Sequence, residues 1–304
     1  MNAPVIVFAY NRPKHLAKTL SALSQNKRAK ESEVFIFIDG PKQPDGMIKQ
    51  KQVIEAANRF LNSFKSVSIT ASEVNKGLAK SIISGVTKVL NEYGRVIVVE
   101  DDAVSAETYL DFMNGALDYY EKDSSVWSIG GFTVPMRLPD DYQYDVIKTQ
   151  RVSSYAWAIW KDRWDKIDWK ISDYRSFRFD FPGRHRFNQW GNDRTSMLDE
   201  QMNGKIDSWA IRFDYAMYKN NMYNIVPRQS LIMNTGHDGS GTHSKTVSEV
   251  DDFKVELTKA SKSFVFASLN IDERIRKEFC KPFFCGLGFR LKHYFNYVIR
   301  PQKR

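Results

Sequence analysis

Ten residues constrain this chain more than any others: Arg95 to Val104, RVIVVEDDAV. Val96, Ile97, Val98 and Val99 are consecutive β-branched residues, the pattern of a strand buried on both faces. The run ends in three acids, Glu100, Asp101 and Asp102. Adjacent carboxylates at the end of a core strand repel one another and lose hydration, so the position calls for a cation. The alternative is that the acids are solvated loop residues or the cap of the next helix. Ser105 is better placed as that cap, which leaves the acids without a structural task.

The rest of the chain is long enough to surround such a strand. Its 304 residues can bury the core of one large α/β domain, and 42% hydrophobic with 27% charged residues is ordinary for a globular protein. No stretch approaches the roughly 20 apolar residues of a spanning helix. Strand-like sequence begins within four residues of Met1, in place of a basic and apolar leader. That predicts a cytoplasmic protein, or one lying on the inner face of a membrane. Cys280 and Cys285 have no second Cys or His pair at zinc spacing, and a reduced pair is expected.

Strand and helix patterns alternate four times. PVIVFAY (4–10) reads as a buried strand, and Pro13 opens a helix whose apolar face is Leu16, Leu20 and Leu23. Val34 to Ile38 is a second strand ending in Asp39-Gly40, followed by a helix over about 47–62 with Ile54, Ala57 and Leu61 on one face. Val67 to Thr70 leads through Asn75 and Gly77 into a helix marked by Leu78, Ile82, Ile83, Val86 and Leu90. After the acidic strand comes a helix with Tyr109, Phe112, Met113, Ala116, Leu117 and Tyr120. Such alternation predicts a mainly parallel sheet flanked by helices, with ligands at the carboxyl ends of its strands. Arg12, Asp39, Asn75 and the three acids all fall at such ends.

The second half is less regular. Strands are expected at 126–132 and 152–160, with a short helix from Lys161. The aromatics between 168 and 192 suit either sugar stacking or core filling. Lys205 to Trp209 leads into a helix, where Asp207 is either a functional acid or a cap. Short β segments are expected at 225–226 and 230–233. The loop 234–245, NTGHDGSGTHSK, is glycine-rich and polar, as a loop closing over a ligand would be.

The formal charge of +9 is unevenly placed: residues 279–304 hold six Lys/Arg, seven aromatics and no Asp/Glu. Phe279–Arg304 could meet an anionic membrane surface, pack back as a helix, or bind nucleic acid. The basic residues do not line the strand rim, which argues against the last.

In this order the landmarks resemble glycosyltransferases of the A-type (GT-A) fold. Within them they are similar to the Golgi N-acetylglucosaminyltransferase that initiates hybrid N-glycans and to its bacterial relatives. PVIVFAYNRP looks like the family's first strand, VVEDD like its metal motif and SSVWSIGGF like its next strand. YAWAIWKDRWDKI resembles its acceptor segment and IDSW its base-bearing segment.

The resemblance covers about residues 4–245. It implies a nucleotide-sugar-binding half (1–125), an acceptor-binding half of the same domain (126–250) and a C-terminal helical extension (251–304). It further implies that Asp102 ligates Mn²⁺ or Mg²⁺ held by the donor diphosphate. Asp101 and Glu100 would then support the ribose and donor sugar, Arg12 would meet the diphosphate, and Asp39 the nucleobase, usually uracil. His243 would lie in the loop over the donor. Asp207 would be the general base, with Asp214 a competing acid seven residues on.

The implied activity is inverting transfer of a hexosyl or N-acetylhexosaminyl unit from a UDP-sugar or other nucleotide-sugar. The acceptor would be a saccharide or lipid-linked saccharide, in cell-surface polysaccharide synthesis. Two readings compete. A sugar-nucleotide pyrophosphorylase would want a glycine-rich phosphate loop after the first strand, and AYNRP has none. A non-catalytic glycan- or membrane-binding module would give the acids no cation to hold.

Overall fold

The computed structural model describes residues 2–236, 255, 257 and 263–299. The four expected alternations form as β1 (Val5–Ala9), α1 (Pro13–Ser24), β2 (Glu33–Ile38), α2 (Gly46–Asn58), β3 (Ser66–Ala71), α3 (Leu78–Tyr93) and β4 (Arg95–Glu100). A three-residue strand, β5 (Ala103–Ser105), follows the acids and leads to α4 (Tyr109–Tyr120). The second half supplies β6 (Val126–Gly130), β7 (Val146–Thr149), β8 (Ala156–Trp160), α5 (Lys161–Trp164), α6 (Tyr174–Phe177), α7 (Phe181–Phe187) and α8 (Arg194–Met202). It closes with α9 (Trp209–Lys219), β9 (Tyr223–Pro227) and β10 (Ile232–Asn234). The extension carries α10 (Glu273–Phe279) and α11 (Leu287–Tyr294), the latter running into a π-helical turn, Phe295–Ile299.

Eight strands form one sheet in the order β3-β2-β1-β4-β8-β6-β9-β7. The first four are parallel, β8 runs against both β4 and β6, and β6 pairs parallel with β9. The fold is α/β, with a mostly parallel sheet between helices. Consecutive strand residues face opposite layers. Val5, Val7, Ile97 and Val99 face α1, α2 and α4, while Ile6, Phe8, Val96 and Val98 face α3, α5 and α9. All four core residues of β4 are fully buried, as its unbroken β-branched run requires.

The chain places β2 and β3 on one side of β1, then crosses to put β4 on the other. That reversal lies between β1 and β4, where an open α/β sheet leaves a crevice at its carboxyl edge. Arg12 follows β1 and the acids follow β4, so both arrive there.

Several expectations are corrected. Ser105 does not cap α4. It lies in β5, its hydroxyl accepts from Asn26 Nδ2 at 3.1 Å, and α4 begins after Thr108. The second helix stops at Asn58, burying Val53, Ala56 and Ala57, and leaves Leu61 exposed. In the 152–160 stretch only Ala156–Trp160 pairs as a strand. Phe177, Phe187 and Trp190 are buried, the first two packing with Tyr215 beneath α9, so they fill a core rather than a sugar site.

Candidate active site at the sheet switch point

The site is built from two turns and a ribbon. Arg12 ends the β1–α1 turn, with Pro13 setting the first helical residue behind it. The β4 turn is held from both sides. Thr19 Oγ1 of α1 donates to the Asp101 carbonyl at 2.8 Å, and Thr235 donates to the Asp102 carbonyl from its N–H at 2.8 Å and its hydroxyl at 3.0 Å. β5 and β10 pair antiparallel, Ala103 opposite Asn234, and bring Thr235 and Gly236 over the acids. Thr19 carries no signal in the sequence, and Thr235 and Gly236 are marked only as the start of the polar 234–245 loop, because the two threonine bonds span 82 and 133 residues of chain.

One Arg12 nitrogen, Nη2, donates to both Asp101 Oδ1 and Asp102 Oδ2, the latter at 2.8 Å. The charge balance is incomplete: three carboxylates face one guanidinium. Burial first, then Asp102 and Asp101, raises the Glu100 pKa well above the carboxylate range. Burial also lifts Asp101 to about 6, although Arg12 pulls the other way. Burial opposes the Arg12 charge, but its two aspartate partners outweigh that and hold its pKa above the ordinary value.

Two buried polar atoms in this cluster, Asp102 Oδ1 and Arg12 Nη1, have no hydrogen-bond partner among the described residues. A buried acceptor and a buried donor left in that state are costly unless a ligand engages them. The neighbouring Gly236 leaves just enough room, since a Cβ there would lie 2.1 Å from Asp102 Oδ2 and 3.1 Å from Arg12 Nη1. The donors suit a hard oxygen-seeking cation such as Mg²⁺ or Mn²⁺. Among the described residues no three His, Cys, Asp or Glu side chains close around one point.

Asp39 ends β2, as expected, but its carboxylate is engaged. It accepts from the Gly40, Lys76 and Gly77 N–H groups at 2.9, 2.9 and 3.0 Å and from Asn75 Nδ2 at 3.2 Å. Four donors fill the lone-pair positions of a carboxylate. Asp39 thereby ties the 75–77 turn to the sheet, and Gly40 lets Val74 pass where a Cβ would sit 2.3 Å from backbone.

Asp207 immediately precedes Ser208, whose hydroxyl caps α9 by accepting from Ile211 N. That frees Asp207 from the capping role. The first residue of α9, Trp209, stacks on Trp157 at 5.0 Å, and Trp157 is paired with Val98, two residues before Glu100. α9 leads into β9, which runs parallel to β4 and β1. The Asp207 side chain is 64% exposed, and Oδ1 accepts from Arg212 at 2.8 Å.

The competing acid is committed elsewhere. Asp214 is buried, bonded to the fully buried Arg194 at 2.6 Å and to Val152 N at 3.1 Å. Asp214→Ala would strand the Arg194 charge, and we expect a loss of about 3–5 kcal/mol. Urea unfolding checks this: a midpoint within error of wild type would remove Asp214's structural role.

In the acceptor-like segment YAWAIW, Trp157 and Trp160 are buried and fill the core instead of facing the rim. Tyr155 is the residue of that segment that reaches a rim cavity of about 160 Å³, with Phe132, Arg151, Ser153, Phe279 and Phe283. Its carbonyl accepts from Glu100 N at 3.3 Å. Cys280 and Cys285 are both free, as expected. His243 lies outside the described residues.

An acidic cluster with one shared arginine thus sits at the switch point of an α/β sheet. No family model and no curated protein matches the chain. Among solved structures, it is similar to residues 1–349 of S. aureus TarS at TM-score 0.46 and 14% identity, over 78% of this chain and 61% of that one. The mannosyltransferase PcManGT from Pyrobaculum calidifontis, solved with GDP-Man and Mn²⁺, gives 0.37 and 14% over 53% and 46%. The galactosyltransferase LgtC, solved with donor and acceptor sugar analogs, gives 0.39 and 10% over 72% of each chain. The chain spans about three-fifths of the TarS fragment it matches. These are distant likenesses, and the site stands on its own geometry.

Proposed function

We propose that this chain is a metal-dependent glycosyltransferase, moving a hexosyl or N-acetylhexosaminyl unit from a nucleotide-sugar to a saccharide or lipid-linked saccharide with inversion. The reading extends to the Golgi-type likeness noted from its motifs and to a role in cell-surface polysaccharide synthesis. The observation that carries it is that Asp102 Oδ1 and Arg12 Nη1, on side chains already joined through Arg12 Nη2, are both buried and without a hydrogen-bond partner among the described residues. An oxygen ligand beside a guanidinium donor is what a cation–diphosphate pair requires.

Asp102 would hold Mn²⁺ or Mg²⁺ through Oδ1, and Arg12 would offer Nη1 to a diphosphate oxygen. When bound, the cation supplies Lewis-acid neutralisation of the charge on the departing nucleoside diphosphate. Glu100 and Asp101 would accept hydrogen bonds from donor hydroxyls. Asp39 would act through the 75–77 turn that it holds, shaping the side on which a base such as uracil would lie. Asp207 would take the acceptor hydroxyl's proton at Oδ2, the oxygen without a hydrogen bond among the described residues, while Arg212 fixes Oδ1. His243 would contribute from the loop over the donor. A non-catalytic module would leave two buried polar atoms unused, and a pyrophosphorylase would lack its phosphate loop.

The test is thermal stabilisation by a panel of nucleotide-sugars, with and without Mn²⁺. The donor at about 100 times its Kd stabilises by roughly 2.7 kcal/mol. We expect a clear rise in Tm for one nucleotide class, seen only with the cation. No rise with any nucleotide-sugar, or a rise indifferent to Mn²⁺, would overturn the assignment.

A further inference from the structure

Beyond catalysis, we propose that the C-terminal extension is a docking surface for an anionic lipid bilayer. The base of the extension is welded to the core. Phe279 packs on Trp190 at 5.6 Å, Arg151 lies 3.7 Å over the Phe283 ring, and Cys285 and Asn192 exchange two hydrogen bonds of 2.6 and 3.0 Å. Farther along, His293 reaches Glu200 at 3.3 Å, and Asn203 Nδ2 donates to the Tyr297 carbonyl at 3.2 Å. One side of α11 and its π turn is thus committed to α8, with His293 and Val298 buried.

The other side is apolar and faces out. Leu287 and Leu291, four residues apart on α11, are 67% and 61% exposed, and Phe284 before them is 76% exposed. Phe289, Phe295 and Ile299 are also about half exposed. A helix with one side packed through His293 and an apolar stripe left in water is poorly placed for an aqueous surface and well placed for an interface.

The charge says which interface. Lys281 is paired with Glu278, but Arg290 and Lys292 have no ion pair among the described residues, and no acid occurs from 279 to 304. Exposed leucines and phenylalanines flanked by unpaired cations match an anionic bilayer, where the side chains enter the acyl boundary and the cations meet headgroups. No described helix is long and apolar enough to cross a membrane, so the contact is peripheral.

Phe283 walls the rim cavity beside Tyr155, and its neighbour Phe284 points into solvent. Docking through Phe284 would bring that cavity to the lipid surface. On the glycosyltransferase reading, the acceptor would then be the lipid-linked kind.

The experiment is co-sedimentation of the full chain with vesicles of phosphatidylcholine alone and of phosphatidylcholine mixed with phosphatidylglycerol. We expect binding to the mixed vesicles only, weakened by raised salt. The double variant Arg290→Gln, Lys292→Gln should lower the partition coefficient about 30-fold, at about 1 kcal/mol per charge. The double variant Leu287→Ser, Leu291→Ser should lower it by at least about tenfold. Both change exposed side chains, so Tm and Mn²⁺-dependent nucleotide-sugar stabilisation should stay as in wild type. The proposal falls if wild type stays in the supernatant, if the variants sediment as wild type does, or if the serine variant instead abolishes a dimer in sedimentation velocity. Since sedimentation needs no turnover, its failure would leave the catalytic reading standing, and an inactive protein that still bound vesicles would separate the two.

Discussion

Replacing Asp102 with asparagine is expected to lower metal-dependent turnover about 10²- to 10³-fold, in the range for loss of one preorganised charge-stabilising group. The substitution keeps shape and removes charge. It should also abolish the extra stabilisation that Mn²⁺ confers on a donor complex. The fold itself should survive, because one of three crowded carboxylates is gone and Arg12 keeps Asp101. The measurement pairs steady-state release of nucleoside diphosphate with Tm in the presence of donor, with and without the cation. Ordinary Mn²⁺-dependent turnover in Asp102→Asn would remove this residue from the site.

Asp207→Asn should separate the two substrates. On the proposed reading donor and cation would bind across the β1 and β4 turns, whereas Asp207 stands at the head of α9, exposed and paired with Arg212. Donor stabilisation should therefore be unchanged, while transfer falls by about 10²–10⁴, the contribution of a positioned base. Because the Asp207 side chain is exposed, Tm should not move, in contrast to the loss expected for Asp214→Ala. Full transfer activity in Asp207→Asn would exclude it as the base.

How much of this was legible in the chain follows from the range of the interactions. β1, β2, β4 and α4 are written in local periodicity, and their cores consist of the apolar residues that spacing picks out; α3 forms as expected but leaves Leu78 exposed and buries Ala79 and Val89 beside Ile82, Val86 and Leu90. The acids were legible because a strand with no polar face stops at three carboxylates.

The reversal of β8 between β4 and β6 was not legible. A strand buried on both faces, AWAIW, reads the same whichever way it runs. Nor were the buried arginines: Arg184 and Arg194 resemble surface charges until Asp199 and Asp214 are set against them at 2.6 Å. The tryptophans of YAWAIW suggest a ligand platform, yet the stack of Trp157 on Trp164 and Trp209 makes them core. In each case the deciding partner lies far away in the chain, where pattern carries no information.

The pairing of β5 with β10 bears on how such a protein could be recombined. The first 125 residues hold all three acids and look like a portable module, but Thr235 and Gly236, which seat Asp102, come from beyond residue 230. A chimaera joined near residue 125 would take its carboxylates from one parent and their seating from the other. Swaps between such halves would succeed where both parents share that seating.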